Sequence, residues 1–260
     1  MNEFYDLEQK IATNPRLDFG NVFGQSFDLF KIVWAKGALF MLFYGIGSFA
    51  LMMLFLMPAS LLGASLENGN WLDSGLGVPA IIAFFVFMML LFVVLMTLVT
   101  GLMAGFYLGC KQADEGHGFS TENYFVFFKG RAIKRTVGIG LATFGVSLLS
   151  AILCYFPLIY TSVPISYFVV IYAFNPHLST ADIVKLAFKI GTNKWGITLA
   201  LTLVLMLLAY IGGVVTCGIG FIFTFSIILI PKYFIYKSVI GFETENVLDE
   251  IGQDSEFDSL

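Results

Sequence analysis

Residues 37–62 read GALFMLFYGIGSFALMMLFLMPASLL, with no charged side chain anywhere in the run. A bilayer span needs about 20 consecutive apolar residues. A helix at the surface of a soluble protein instead carries an apolar stripe and an opposite polar face. This run has no polar face, so it predicts a membrane span. Three apolar regions of the same kind follow, at about Val78 to Leu108, Val137 to Phe174 and Trp195 to Ile230. The last two are each nearly twice the length of a span. Pro157 and Pro164 interrupt one, and Gly212 and Gly213 interrupt the other. Each is read as a tight helical hairpin, which brings the count to six spans.

Composition agrees. The chain is 58% hydrophobic and 12% charged, whereas soluble domains carry about a quarter charged residues. Acidic residues at the N-terminus, with no short apolar core after them, predict no cleavable signal peptide.

Charge placement orients the spans, because cytoplasmic loops collect Lys and Arg. All 14 such residues fall in four segments. These are the N-terminal segment, the loop after span two, the loop after span four and the C-terminal tail. The three alternate loops, near Glu67 to Asp73, Phe156 to Ser162 and Gly212 to Gly218, hold none. The expectation is an all-α protein of the bacterial inner membrane with both termini cytoplasmic.

Three amphipathic segments precede the three hairpins: Asn21–Ile32, Ser120–Gly130 and Ser179–Ile190. Each contains a Phe-Lys pair, at Phe30-Lys31, Phe128-Lys129 and Phe188-Lys189. In the third, Ser179 and Asp182 have capping-box spacing. Ile183, Leu186, Ala187 and Ile190 fall on one helical face. The expected organisation is an N-terminal segment over 1–17, a membrane domain over 18–240 and an acidic tail over 241–260. The membrane domain reads as three repeats, about 18–108, 119–174 and 178–237, each an amphipathic cytoplasmic helix plus a hairpin.

The stretch Asn175-Pro-His-Leu-Ser-Thr-Ala-Asp-Ile-Val-Lys-Leu-Ala-Phe-Lys, then Asn193-Lys-Trp, then a hairpin with Gly218-Ile-Gly and Pro231, resembles an uncharacterised family of bacterial multi-span membrane proteins. That family is similar in layout to the membrane region attached to some glycerophosphodiester phosphodiesterases. The resemblance implies a six-helix membrane fold and brings no catalytic residues.

The predicted spans contain no Asp, Glu, Lys, Arg or His, residues that inside a membrane usually mark ion or proton pathways. The two histidines, His117 and His177, fall in loops. A solvated turn is the expected role of His117, with a weak metal site as the alternative. Cys110, Cys154 and Cys217 form no Cys-x-x-Cys pair and read as packed thiols. Asn175, His177, Asp182 and Asn193 read as turn and cap residues rather than an active site. Gly101, Gly105 and Gly109 have the spacing that lets helices approach closely, within the bundle or between two copies. Lys31, Lys129, Arg131, Lys134, Arg135 and Lys189 are candidates for lipid headgroups, which attract basic side chains next to a membrane.

The tail after Lys237 carries seven acidic residues from Glu243 to Asp258 and no basic one. Val247, Leu248 and Ile251 in it form a candidate docking motif. These features point to a non-enzymatic scaffold or accessory protein, with membrane lipids as partners and a protein partner through the tail. No cofactor, metal or nucleic acid is expected, and the oligomeric state is open. The alternative is a transporter or channel for an apolar or lipid-like solute.

Overall fold

The computed structural model describes residues 2–67, 77–130, 132–152 and 156–242. Every regular element among the described residues is helical. The order is α1 (Asn2–Thr13), α2 (Phe19–Glu67), α3 (Gly77–Asp114), α4 (Asn123–Val126), α5 (Ala132–Ile152), α6 (Phe156–Phe174), α7 (Thr180–Asn193), α8 (Trp195–Val215), α9 (Gly220–Thr224), a 3-10 turn (Phe225–Ile228) and α10 (Ile230–Val239). Six stretches among the described residues are long and apolar enough to cross a membrane, the sixth being α9 through α10.

Helix length shapes the molecule. At 1.5 Å per residue, the 49 residues of α2 extend about 73 Å and the 38 of α3 about 57 Å. A bilayer with its headgroups is only about 40–45 Å thick. The ends of both helices therefore rise beyond the lipid. One face of each base end is buried. Val22, Leu29, Val33, Phe106, Tyr107 and Cys110 join one core with α1, α4, α6, α7 and α10. The far halves of α2, α3 and α8 instead present Phe49, Met52, Phe85, Leu90 and Leu207 outward, as lipid-facing helices do. The termini-bearing end is thus a packed base, and apolar hairpins project from it.

Six tyrosines are fully buried in the base, and each hydroxyl finds a partner on another segment. Tyr107 donates to Leu229 O at 3.3 Å and Tyr124 to Lys36 O at 2.7 Å. Tyr167 pairs with Thr198 at 2.7 Å and Tyr172 with Thr136 at 2.9 Å. Tyr233 donates to Asp114 at 2.7 Å, and Tyr236 accepts from Asn175 Nδ2 at 2.7 Å. A buried phenol combines large apolar area with a polar tip that must be satisfied.

Several expectations change. The loop placed at Phe156 to Ser162 is helical, because Pro157 stands in the first turn of α6, where its missing N–H costs nothing. Pro164 lies inside α6, and Gly191 of α7 lets the two backbones approach there: a Cβ on Gly191 would stand only 2.8 Å from Pro164 N. Likewise α8 runs through Gly212 and Gly213. These glycines do not break the helix; Gly213 makes room for the Phe221 ring. The reversal falls at Cys217 and Gly218, both with positive φ. The far turn around Asn70 and the tail beyond Phe242 lie outside the described residues.

The three segments before the hairpins differ in form. The first is continuous with the span in α2, and the second holds only the short α4. The third is α7, capped by Ser179 Oγ accepting from Asp182 N at 3.2 Å. Its Ile183, Leu186, Ala187 and Ile190 are buried in the protein core, not laid on lipid.

The glycine series of α3 seats the segment between α3 and α5. Gly101 faces the Phe128 ring, Gly109 the Phe119 ring, and Gly105 the backbone of Asn123 and Tyr124. A side chain at Gly105 would meet Tyr124 Cα at 2.6 Å. Gly105→Leu is therefore expected to lower the melting temperature of the detergent-solubilised protein by several degrees, an overpacking cost of about 1–3 kcal/mol. Gly45→Ala, with nothing within 4 Å, should leave it unchanged or raise it, since Ala is the better helix former.

Candidate functional site

The charged side chains of the described residues converge on the base, where they do two jobs. The first is to hold α1. Leu7 and Ile11 are buried, and Lys189 of α7 bonds Glu8 at 2.9 Å. Asn193 donates to Ile11 O at 3.3 Å, and Lys194 donates to Pro15 O. Burial lowers the Lys194 pKa. Phe4, Leu7 and Ile11 have helical i, i+3, i+7 spacing, a signal that marks this docked face in the sequence.

The second is to join α3 and α10. Asp114 at the end of α3 accepts from Tyr233 at 2.7 Å and from Lys237 at 2.5 Å. Lys111 lies 4.8 Å from the Phe242 ring centroid, and that ring packs on Phe174, Tyr233 and Tyr236. Beside Asp114 opens a cleft of about 460 Å³ lined by Gln25 and Asp28 of α2, Asp114 of α3, and Lys237 and Ser238 of α10, with Leu29 and Phe234 as apolar wall. It offers carboxylates, an ammonium, an amide and a hydroxyl beside an apolar surface, which suits an amphiphilic headgroup.

Lys232, expected in the tail beyond the last span, is drawn into the fold. It lies within the sixth apolar stretch, only 7% exposed. Its Nζ makes one long hydrogen bond, 3.4 Å to Ile228 O at the end of the preceding 3-10 turn. Pro231 ends the apolar run in the sequence, which hides the fact that the helix and its burial continue to Val239. An ammonium has three donors, and one removed from water with so little compensation is costly.

The headgroup candidates are dispersed over this base. Lys31 pairs with Asp28 at 2.8 Å and is exposed. Lys129 and Lys134 are exposed. Arg135 donates to Pro176 O, and Lys189 belongs to the α1 clamp. Arg131 lies outside the described residues. Of the turn and cap residues, Asn175 is buried on Tyr236 and Asp182 donates its backbone N–H to the Ser179 cap of α7. His117 is exposed, 3.9 Å from Glu115. Tyr124, between Lys36 and the α3 glycines, has its pKa raised by burial and then by Cys110. No group of three His, Cys, Asp or Glu among the described residues is placed to hold a metal ion.

The fold defines a multi-pass α-helical membrane protein with a packed, tyrosine-stapled base. Comparison with family models, curated proteins and solved structures gives no match.

Lys232→Met keeps the shape of the side chain and removes the buried charge. Replacing buried charge by an apolar residue of similar volume is often neutral or stabilising. The variant is expected to melt at a higher temperature than the parent in neutral detergent buffer. A marked drop instead would mean that an anion satisfies Lys232 in the folded protein.

Proposed function

We propose that this chain is a non-enzymatic scaffold or accessory protein of the bacterial inner membrane, binding lipid and protein partners at the cytoplasmic face. The observation that carries the reading is the open cleft at the base, where charged groups from three helix ends border an apolar wall. Asp114 and Lys237 there are engaged with each other and with Tyr233, an arrangement suited to holding and recognising rather than to proton transfer. The positive-inside rule puts the base, with both termini, in the cytoplasm. The three hairpins, each preceded by a segment with a Phe-Lys pair, are read as three copies of one unit. The sequence's resemblance to a family similar in layout to the membrane region of some glycerophosphodiester phosphodiesterases supports a lipid-facing role. The acidic tail supplies a site for a protein partner.

The alternative, a transporter or channel for an apolar or lipid-like solute, draws on an apolar groove between α2 and α3.

Lipid recognition by the base is tested by changing Lys129, Lys134 and Arg135 together to Gln and measuring retention of anionic and zwitterionic lipids. Each cation near an anionic surface contributes about 1 kcal/mol. The triple variant should therefore lose anionic lipid by one to two orders of magnitude and keep zwitterionic lipid. Equal retention of both would count against the reading. For the tail, truncation after Gly241 should remove at least one partner crosslinked in cells, and an unchanged set would sink that part.

A further inference from the structure

Helix α6 has the length and composition of a span, but its neighbours place it elsewhere. Its 19 residues extend about 28 Å, enough for a hydrocarbon core of about 30 Å. Antiparallel to it lies α7. Tyr160 Oη meets Thr192 Oγ1 at 2.8 Å, a Cβ on Gly191 would stand 2.5 Å from Pro164 Cα, and the Phe168 and Phe188 rings are 6.0 Å apart. Positions 160, 164 and 168 thus pair with 192, 191 and 188. The C-terminal half of α7 therefore runs alongside the N-terminal half of α6, at the same depth. That part of α7 carries Lys185 and Lys189, and Lys189 is paired with Glu8 of α1. Charged side chains inside the hydrocarbon are costly and rare. Where α7 and α1 stand clear of the lipid core, the N-terminal half of α6 does too.

The two ends of α6 agree. At its start, Trp195 Nε1 donates to Tyr160 O at 3.1 Å. Between Thr192 and Trp195 stand Asn193 and Lys194, which donate to Ile11 O and Pro15 O of the N-terminal segment. At its end, Phe174 packs on the rings of Tyr236 and Phe242, where the tail begins. A crossing helix has its ends on opposite faces of the bilayer, whereas these two ends border the N-terminal segment and the tail, which the charge rule puts on one face. Thr161 donates to Ser150 at 2.9 Å, so the end of α5 is drawn to the same place. We infer that α5 and α6 form a re-entrant hairpin, which enters from the cytoplasmic face and returns to it without crossing the bilayer. Such segments are tolerated where protein surrounds them, and Val163 and residues 167–172 of α6 are buried. The apolar side of α5 supplies the lipid contact, with Leu141, Leu148, Leu149 and Ile152 exposed. Charge placement does not distinguish the two topologies. Losing two crossings together leaves both termini on the same face, and the stretch from Phe156 to Ser162 holds no Lys or Arg in either case.

The test uses the full chain in its membrane, with Cys110→Ala, Cys154→Ala and Cys217→Ala as background. Ser162→Cys, a near-isosteric change at an exposed position of α6, is treated with a membrane-impermeant maleimide in spheroplasts and in inverted vesicles. Ala12→Cys serves as the inside control and Asn70→Cys, in the turn that the charge pattern puts outside, as the outside control. Ser162→Cys should behave like Ala12→Cys, with at least tenfold more labelling in inverted vesicles than in spheroplasts. Labelling in spheroplasts at the level of Asn70→Cys overturns the inference. A second measurement pairs Tyr160→Cys with Thr192→Cys and a short bismaleimide. The crosslink should form in the membrane, because in a six-span chain the two positions stand a hydrocarbon core of about 30 Å apart. Where protein shields Ser162→Cys from both sides, the crosslink decides. Its absence, with both cysteines reactive after solubilisation, overturns the inference whatever the labelling shows.

Discussion

A tyrosine hydroxyl removed from water must find a partner, and in this protein six of them find it across the base. Through these bonds α10 is tied to α3 and α6, α6 to α5 and α8, and α4 to α2. Each phenol fills volume with its ring and fixes direction with its tip. The position of every hairpin root follows from these ties. The cleft beside Asp114 exists because Tyr233 and Lys237 draw α10 to the end of α3 while α2 continues past both.

The same constraint explains what the sequence disclosed. The spans were legible because hydrophobic length is a property of a continuous segment. The Ser179 cap and the buried face of α7 were legible because spacing along a helix fixes them. The tyrosine ties were not, since each joins residues 31 to 122 positions apart and a tyrosine in an apolar run looks like any other aromatic. Gly212 and Gly213 read as breakers because glycine serves both reversals and close approaches, and only the Phe221 ring beside Gly213 separates the two. The docked face of α1 lies in the spacing of Phe4, Leu7 and Ile11, but the surface of α7 that it meets lies about 180 residues away. At the candidate site, the basic residues were visible as a class. Which of them hold the protein together, as Lys189 and Lys194 do, depends on partners far along the chain.

Lys232 shows how a boundary drawn by composition can mislead. Pro and Lys in succession mark the end of an apolar run, yet Pro is well tolerated in the first turn of a helix, and α10 starts one residue before it. The helix then buries the lysine beside two of the tying tyrosines in sequence. A charge in that position is consistent with a base that stands clear of the lipid, where water has a shorter path to it than in the hydrocarbon layer.

Hydrogen bonds divide the molecule by depth. Many hydroxyls away from the base bond to their own helix, as Thr97 does to Val93 O, Thr143 to Ile139 O and Thr216 to Gly212 O. Such bonds satisfy the hydroxyl and hold nothing together between helices. Cross-helix bonds among the described residues include Thr161 to Ser150, Tyr160 to Thr192 and Thr224 to Ala209 O. Within lipid the hydrophobic effect gives little drive for helices to associate, so packing and interhelical hydrogen bonds carry that work. Where the described far parts of α2 and α3 face each other, aromatic side chains such as Phe55 and Phe84 pack between them, while their roots are fixed by directional bonds.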